Sequence, residues 1–138
     1  MIGAVISKVM AGKAFDHLNK GDLEAFLSTM SDDAVYHYPG SGSVLKKIEG
    51  KAAIREFMQE LMGLFSAVKF DVKGIYVKNI FGMGPSNSVM MEFDVDGTLK
   101  NGSSYNNSYA IMLDIKGGKA VTAREFVYDF DAANKAWS

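Results

Sequence analysis

The second half of the chain alternates between apolar and polar residues, and this alternation limits the folds that the chain can adopt. Four alternating runs occur, at 68–81, 88–99, 104–115 and 120–130. A period of two residues is typical of strands with one buried face. The segments between the runs are rich in glycine and asparagine, which favour hairpin turns. The sequence therefore predicts four consecutive antiparallel strands.

Helical patterns precede these strands. Apolar residues recur at steps of three and four over 2–18 and over 51–65, which predicts two amphipathic helices. Between them, Asp22 is a suitable N-cap for a short helix over 23–30, and a strand is predicted over 34–38. Helices that precede an antiparallel meander indicate an α+β fold, with the helices packed on one face of a strongly curved sheet.

The chain length and the remaining segments complete this prediction. With 138 residues, the sequence is long enough for one domain with its own core, and we expect a single domain over 1–138. A loop at 39–43, which we expect to be mobile, follows the first strand. A short helix is expected over 131–137, with Trp137 packing back on the core.

Composition excludes several functions. The net charge of -1, with interspersed signs, argues against nucleic acid and against a polybasic anchor for membrane lipids. No apolar run approaches the roughly twenty residues of a membrane span. The chain has no cysteine and only two distant histidines, His17 and His37, so we expect no metal site and no cofactor. The lack of cysteine suits the reducing cytoplasm, where we expect the protein to act.

The last predicted strand places a carboxylate, Glu125, in an apolar row. The residues expected on the same face of this strand are Val121, Ala123 and Val127. Two interpretations remain open. In the first, Glu125 faces the interior with a raised pKa and acts as an acid or base. In the second, the strand is shifted, or Glu125 pairs with Arg124, Lys119 or another cation at a pocket rim.

The opposite face of the predicted sheet is half apolar. It combines apolar and aromatic side chains with one arginine: Met90, Met112, Arg124, Phe126 and Tyr128. Because aromatic residues, methionine and arginine are favoured in interfaces, we expect a homodimer formed through this outer sheet face. The alternative is a scatter of exposed apolar residues, which is ordinary for soluble proteins.

Several local segments resemble a known superfamily. They are Asn-Lys-Gly-Asp-Leu at 19–23, the segments 31–40 and 48–54, and Arg-Glu-Phe at 124–126 with Asp131 and Trp137. In this order they resemble the nuclear transport factor two-like superfamily, and within it the SnoaL-like group related to ketosteroid isomerase. The resemblance implies a cystatin-like cone with an internal apolar pocket that binds a small molecule.

The resemblance carries over one catalytic position. Glu125 falls where the cyclases and the epoxide hydrolase of the superfamily have an acidic residue on the last strand. Tyr38 stands where ketosteroid isomerase has its proton-shuttling aspartate, and a phenol with an ordinary pKa of about 10 is a poor base. By the same alignment, Tyr109 replaces the protonated aspartate of the isomerase. Steroid isomerisation by that mechanism is therefore not expected.

These observations give one preferred function and one alternative. We expect a protein that binds a mainly apolar molecule and, as an enzyme, catalyses a cofactor-independent isomerisation, cyclisation or dehydration, with Glu125 as the acid or base. Tyr38 and Tyr109 would donate hydrogen bonds to the ligand, unless they lie at the core edge with their hydroxyls in water. The other expected lining residues are Phe57, Met91, Phe93 and Val127. The alternative is a non-catalytic ligand-binding or association module of the same fold.

Overall fold

The computed structural model describes residues 2–39 and 45–138, and four helices and six strands lie in these ranges. The helices are α1 (Ile2–Asn19), α2 (Leu23–Ser28), α3 (Lys51–Gly63) and α4 (Phe130–Trp137). The strands are β1 (Met30–Pro39), β2 (Leu45–Glu49), β3 (Phe65–Val77), β4 (Asn87–Leu99), β5 (Ser104–Lys116) and β6 (Lys119–Val127). The predicted α+β class is confirmed. The predicted loop at 39–43 lies outside the described residues, except for Pro39.

The strands form one curved sheet in the order β2-β1-β6-β5-β4-β3. As predicted, β3 to β6 form an antiparallel meander. The pairing of β1 with β6 is parallel, and it places the last strand between β1 and β5 in the middle of the sheet. The two strands that carry the predicted site residues Tyr38 and Glu125 are therefore neighbours.

The boundaries of the first strands differ from the prediction. Helix α2 ends at Ser28, and β1 already begins at Met30, because the backbone continues as a strand through Asp32 and Asp33, which are typical turn residues. The register of β1 against β6 shifts between Met30 and Val35. Strand β2 was not predicted, since it is a short edge strand whose described side chains are mostly charged.

Helix α1 lies along β3 and positions the aromatic core. The Asn19 side chain binds the backbone of Phe70 twice, accepting from its N–H at 2.8 Å and donating to its carbonyl at 2.7 Å. Phe15 packs against Phe70 and Phe93, with ring centroids 6.0 and 4.6 Å away. The core therefore lies between the helices and one face of the sheet.

A register shift in β6 changes which residues face this core. Pairing with β5 moves from Asp114–Thr122 to Ile115–Ala120, so β6 has one additional residue there. Ala120 is buried in place of Val121, which is half-buried, so the predicted inward position of Val121 is wrong. From Ala123 onward the predicted alternation holds. Within the described ranges, no helix is both long and apolar enough to cross a bilayer.

Candidate functional site

Glu125 lies in the interior on the central strand β6, where its side chain is only 7% exposed. The hydroxyl of Tyr36 on the neighbouring strand β1 donates a hydrogen bond to its Oε1 at 3.0 Å. Among the described residues, Tyr36 is the one hydrogen-bond donor to this carboxyl, and no cation pairs with it. The arrangement is a carboxyl group in an apolar interior with a single phenolic partner.

The proposed ion-pair partners of Glu125 bind elsewhere. The guanidinium of Arg124 on the opposite sheet face donates to Sδ of Met112 at 3.9 Å. The Lys119 ammonium donates to the Ser28 carbonyl at 2.6 Å. The interpretation that Glu125 pairs with one of these cations is therefore wrong.

Burial changes the protonation of this pair. Desolvation raises the pKa of Glu125 to about 7, against the opposing effect of the Tyr36 hydrogen bond. Burial, together with the nearby Glu125 carboxyl, raises the pKa of Tyr36 well above its usual value. Near neutral pH, Glu125 therefore exists both as acid and as carboxylate, whereas Tyr36 remains a neutral donor.

A second polar group lies beside Glu125 on β1 and β5. The hydroxyl of Tyr38 accepts a hydrogen bond from Nε1 of Trp137 at 3.0 Å, which fastens helix α4 to β1. The hydroxyls of Tyr105 and Tyr109 share a hydrogen bond, and Asn107 donates to Tyr105 at 3.0 Å. Burial raises the pKa of both Tyr38 and Tyr109, so both remain neutral hydrogen-bonding groups.

Tyr38 and Tyr109 are 3% and 9% exposed, respectively. Both hydroxyls therefore lie inside the protein, and the interpretation that they sit in water at the edge of the core is wrong.

Two small cavities border Glu125. The first, of about 40 Å³, lies towards α1 and α3, with Phe15, Met58 and Tyr36 on its walls. The second, of about 30 Å³, lies towards α4 and is lined by three tyrosines and by Trp137; the tyrosines are Tyr38, Tyr105 and Tyr109. The side chains that line both cavities are Leu61, Phe70, Phe93 and Glu125.

These volumes limit what the interior accommodates. A single buried water needs roughly 10–15 Å³ of cavity, so each cavity has room for only a few water molecules. A larger ligand requires side chains to move. Met58 of α3 has an unbranched, flexible side chain, and both Met58 and Leu61 can change rotamer. Helix α4, with its half-buried Trp137, covers the second cavity.

The predicted lining residues divide into three groups. Phe93 lines both cavities, whereas Tyr38 and Tyr109 line the second. Phe57 and Met91 are buried but lie on the walls of neither, and Phe57 instead stacks on Trp137 with ring centroids 5.7 Å apart. Val127 lines a separate depression on the surface. Contact between these residues and a ligand remains a prediction.

Tyr36 was not predicted to be a site residue from the sequence. It lies two residues before Tyr38 and therefore on the same strand face, and this alternation was the available signal. Its partner Glu125 is 89 residues away, so only the parallel pairing of β1 and β6 brings the two together. In the described ranges, no group of three His, Asp or Glu side chains is placed to hold a metal ion.

We expect Tyr36→Phe to raise the pKa of Glu125 above 7, because the hydrogen bond from Tyr36 stabilises the carboxylate. Carboxyl-selective ¹³C NMR titration measures this pKa directly. Tyr76→Phe is a matched control, since Tyr76 donates to the exposed Glu92 at 3.1 Å on the other side of the sheet. An unchanged titration of Glu125 in Tyr36→Phe would contradict this account.

Comparison with solved structures shows the same fold in several proteins. Bal32a, from a soil-derived mobile gene cassette, is similar over 99% of both chains, with 18% identity and a TM-score of 0.82. A proposed polyketide cyclase from Xanthomonas campestris pv. campestris is 17% identical over 99% of both chains, with a TM-score of 0.76. A proposed isomerase from Bacillus subtilis is 22% identical over 99% of this chain and 96% of its own, with a TM-score of 0.76. These identities establish a shared fold alone.

The family of the chain follows from comparison of its sequence with those of known proteins and families. No curated protein matches the chain significantly. The family model of the SnoaL-like domain, however, matches residues 11–123, which includes β1 and β6 as far as Ala123. The architecture is the cystatin-like one that the resemblance implied. The chain therefore belongs to the SnoaL-like family of the nuclear transport factor two-like superfamily.

Proposed function

We propose that this protein binds a small, mainly apolar molecule around Glu125 and that Glu125 transfers a proton in a cofactor-independent reaction. The observation that carries the proposal is a buried carboxyl that borders both interior cavities. Burial raises the pKa of this carboxyl to about 7. An acid-base group works best when its pKa lies near the working pH. Isomerisation, cyclisation and dehydration are the reaction classes that fit, and the first two agree with the proposed activities of two proteins of similar fold.

The distribution of polar groups indicates how a substrate would be held. The cavity walls are mainly apolar, and their polar residues are Thr29, Glu125 and four tyrosines: Tyr36, Tyr38, Tyr105 and Tyr109. A substrate carbonyl next to these hydroxyls would be polarised by them, while Glu125 removes a proton from the neighbouring carbon. Substrate entry would require rearrangement of α4 or of the α3 side chains, because the cavities hold only water-sized molecules.

A non-catalytic binding or association module is the second candidate. The observation that favours it is the small size of the cavities, since most of the interior is filled by side chains. In that case the Tyr36–Glu125 hydrogen bond would fasten β1 to β6 without taking part in a reaction.

We also propose that the protein forms a homodimer through the outer sheet face. Phe126 and Tyr128 are exposed on this face or at its edge, and Met90 is partly so. Burial of these side chains against a second copy would remove a large apolar surface from water.

The cytoplasmic location expected from the sequence remains a prediction.

The catalytic role is tested by incorporation of solvent deuterium into a panel of enolisable ketones, followed by NMR. We expect exchange by the wild-type protein and a loss of at least about 100-fold in Glu125→Gln, since acid-base groups commonly contribute that much. The matched control is Glu92→Gln, which changes an exposed glutamate that also accepts from a tyrosine. Equal exchange rates in Glu125→Gln and the wild type would exclude the catalytic role.

Native mass spectrometry of the freshly purified protein complements this experiment. A retained small molecule, together with unchanged exchange in Glu125→Gln, would favour the binding module. The same spectrum reports whether the 15.0 kDa chain is a dimer.

A further inference from the structure

Asn107 on β5 is a buried polar residue to which the proposed reaction gives no role. Its side chain is 8% exposed. Its Oδ1 accepts hydrogen bonds from the backbone N–H groups of Ser108 at 2.9 Å and Asp129 at 3.0 Å. Its Nδ2 donates to the Asp129 carbonyl at 2.8 Å and to the Tyr105 hydroxyl at 3.0 Å. All four hydrogen-bonding positions of the amide are therefore occupied, and its orientation is fixed.

This orientation determines the direction of the hydrogen bonds beyond Asn107. Because an amide N–H can only donate, the Tyr105 oxygen is the acceptor there, and its own proton is available for the hydrogen bond to Tyr109. Likewise, the indole N–H of Trp137 can only donate to the oxygen of Tyr38. Burial raises the pKa of Tyr38, and hydrogen bonding with Trp137 and Tyr109 opposes this rise. The three hydroxyls thus interact in a row, from Tyr105 through Tyr109 to Tyr38, and we call them the tyrosine group.

A count of protons shows what the tyrosine group lacks. Its three hydroxyls carry three protons, and two hydrogen bonds are enough to link three oxygens in a row. At the two ends of the row, Asn107 and Trp137 add further donors and no acceptor. One hydroxyl proton therefore has no acceptor within the group. Glu125 does not accept it either, because Tyr36 is the one donor to this carboxyl among the described residues.

The second cavity is the place where an acceptor for this proton would lie. The tyrosine group and Glu125 line this cavity together. The other side chains that the structure describes on its walls are apolar or, in the case of Trp137, donate only. A buried donor without an acceptor is unfavourable by the free energy of its lost hydration. A molecule that brings an acceptor oxygen to this cavity is therefore favoured over one that does not.

We propose that the tyrosine group binds the carbonyl oxygen of the ligand, and that Asn107 is the positioning residue that leaves one hydroxyl proton for this oxygen. The inference rests on the proposed function and narrows its ligand to carbonyl compounds. The mainly apolar first cavity would hold the remainder of the molecule. Because Glu125 borders both cavities, a carbon next to the carbonyl would lie beside its carboxyl.

Two probes of nearly equal shape test this carbonyl site. Cyclohexanone has a carbonyl oxygen, and methylenecyclohexane has a CH₂ group in its place. NMR titration of the purified protein gives both dissociation constants, and the ¹³C shift of the carbonyl in labelled cyclohexanone reports its hydrogen bonding. In the wild type, we expect the bound carbonyl to have a shift near that in water and far from that in hexane. This measurement needs no variant.

Asn107→Asp keeps the shape of the side chain but reverses the row of hydrogen bonds. A carboxylate oxygen in place of Nδ2 accepts from Tyr105, which then accepts from Tyr109, and Tyr109 accepts from Tyr38. No hydroxyl proton is left for the ketone, so cyclohexanone binding should weaken about tenfold relative to methylenecyclohexane. The variant also loses the donation to the Asp129 carbonyl and is less stable, but this loss acts on both probes alike.

A second substitution separates positioning from a structural role of Asn107. Tyr105→Phe, added to Asn107→Asp, disconnects the carboxylate from the other two hydroxyls, which again have one proton in surplus. The double variant should therefore regain most of the relative affinity for cyclohexanone, although the donation to Asp129 is still missing. Ser108→Ala is the matched control on β5, since its exposed hydroxyl donates to Asp94 at 2.8 Å, and it should resemble the wild type.

Three results would overturn the proposal. The first is that cyclohexanone does not bind the wild type, or binds with the carbonyl shift that it has in hexane. The second is a ratio of the two dissociation constants in Asn107→Asp that equals the wild-type ratio. The third is a changed ratio that Tyr105→Phe does not restore, which would limit Asn107 to anchoring α4. None of these measurements requires turnover, so equal exchange rates in Glu125→Gln would refute the proton transfer and leave the carbonyl site standing.

Discussion

Replacement of Glu125 by Gln is expected to make the folded protein more stable by about 3 kcal/mol at pH 8 and to leave its stability almost unchanged at pH 4. The unfolded chain releases the Glu125 proton near the ordinary pKa of 4.5, whereas the folded protein releases it near 7. The folded state thus binds this proton more tightly, and the resulting stability is fully present below pH 4.5. It is lost as the pH rises through 7, where the buried carboxyl ionises.

Glutamine has nearly the same shape as the protonated glutamate and keeps an oxygen that accepts the Tyr36 hydrogen bond. It carries no proton to lose, so the variant should lack the decline in stability between pH 4.5 and pH 7. Urea unfolding at a series of pH values measures this difference. Glu92→Gln, on the exposed side of the sheet, should follow the wild-type curve, and an identical curve for Glu125→Gln would show that Glu125 is not desolvated.

The second large effect is expected at Trp137. Trp137→Ala should destabilise the fold by about 3 kcal/mol, because the indole stacks on Phe57 and contacts the Tyr38 ring at a centroid distance of 5.8 Å. It should also open the second cavity, since Trp137 forms part of its wall. Trp137→Phe keeps an aromatic ring but loses the N–H that Tyr38 accepts, so we expect a smaller cost of about 1 kcal/mol.

Urea unfolding gives both values, and Phe130→Ala is a control on the same helix. Phe130 is aromatic but exposed, and its removal should cost well under 1 kcal/mol. Equal losses in Trp137→Ala and Phe130→Ala would mean that α4 is held by its general packing and that the indole contacts contribute little.

The helices and strands with strong periodicity could be predicted from the sequence. The strands of the meander and the helices α1 and α3 lie close to their predicted positions, because each alternation or helical repeat extends over ten or more residues. The inward direction of Glu125 also followed from alternation, since the strand is regular from Ala123 onward. The half-buried position of Val121 did not, because the register shift beside it depends on the partner strand.

The Tyr36–Glu125 hydrogen bond could not be predicted, because it depends on the pairing of β1 with β6, a strand from the far end of the chain. Local patterns carry no information on such pairing. Strand β2 follows β1 closely, but it was missed because its described side chains are mostly charged. The size of the interior cavities was likewise inaccessible, because it depends on how the Met58, Leu61 and Trp137 side chains pack together.

The central place of β6 has a consequence for how the protein is made. This strand follows all the others in the chain, yet it joins the β1–β2 pair to the β3–β5 meander. During synthesis on the ribosome, β1 and β5 therefore lack their common partner strand until β6 has emerged, and unpaired strand edges of this kind are prone to aggregation. Glu125 therefore enters its apolar surroundings in the same late event that joins the two parts.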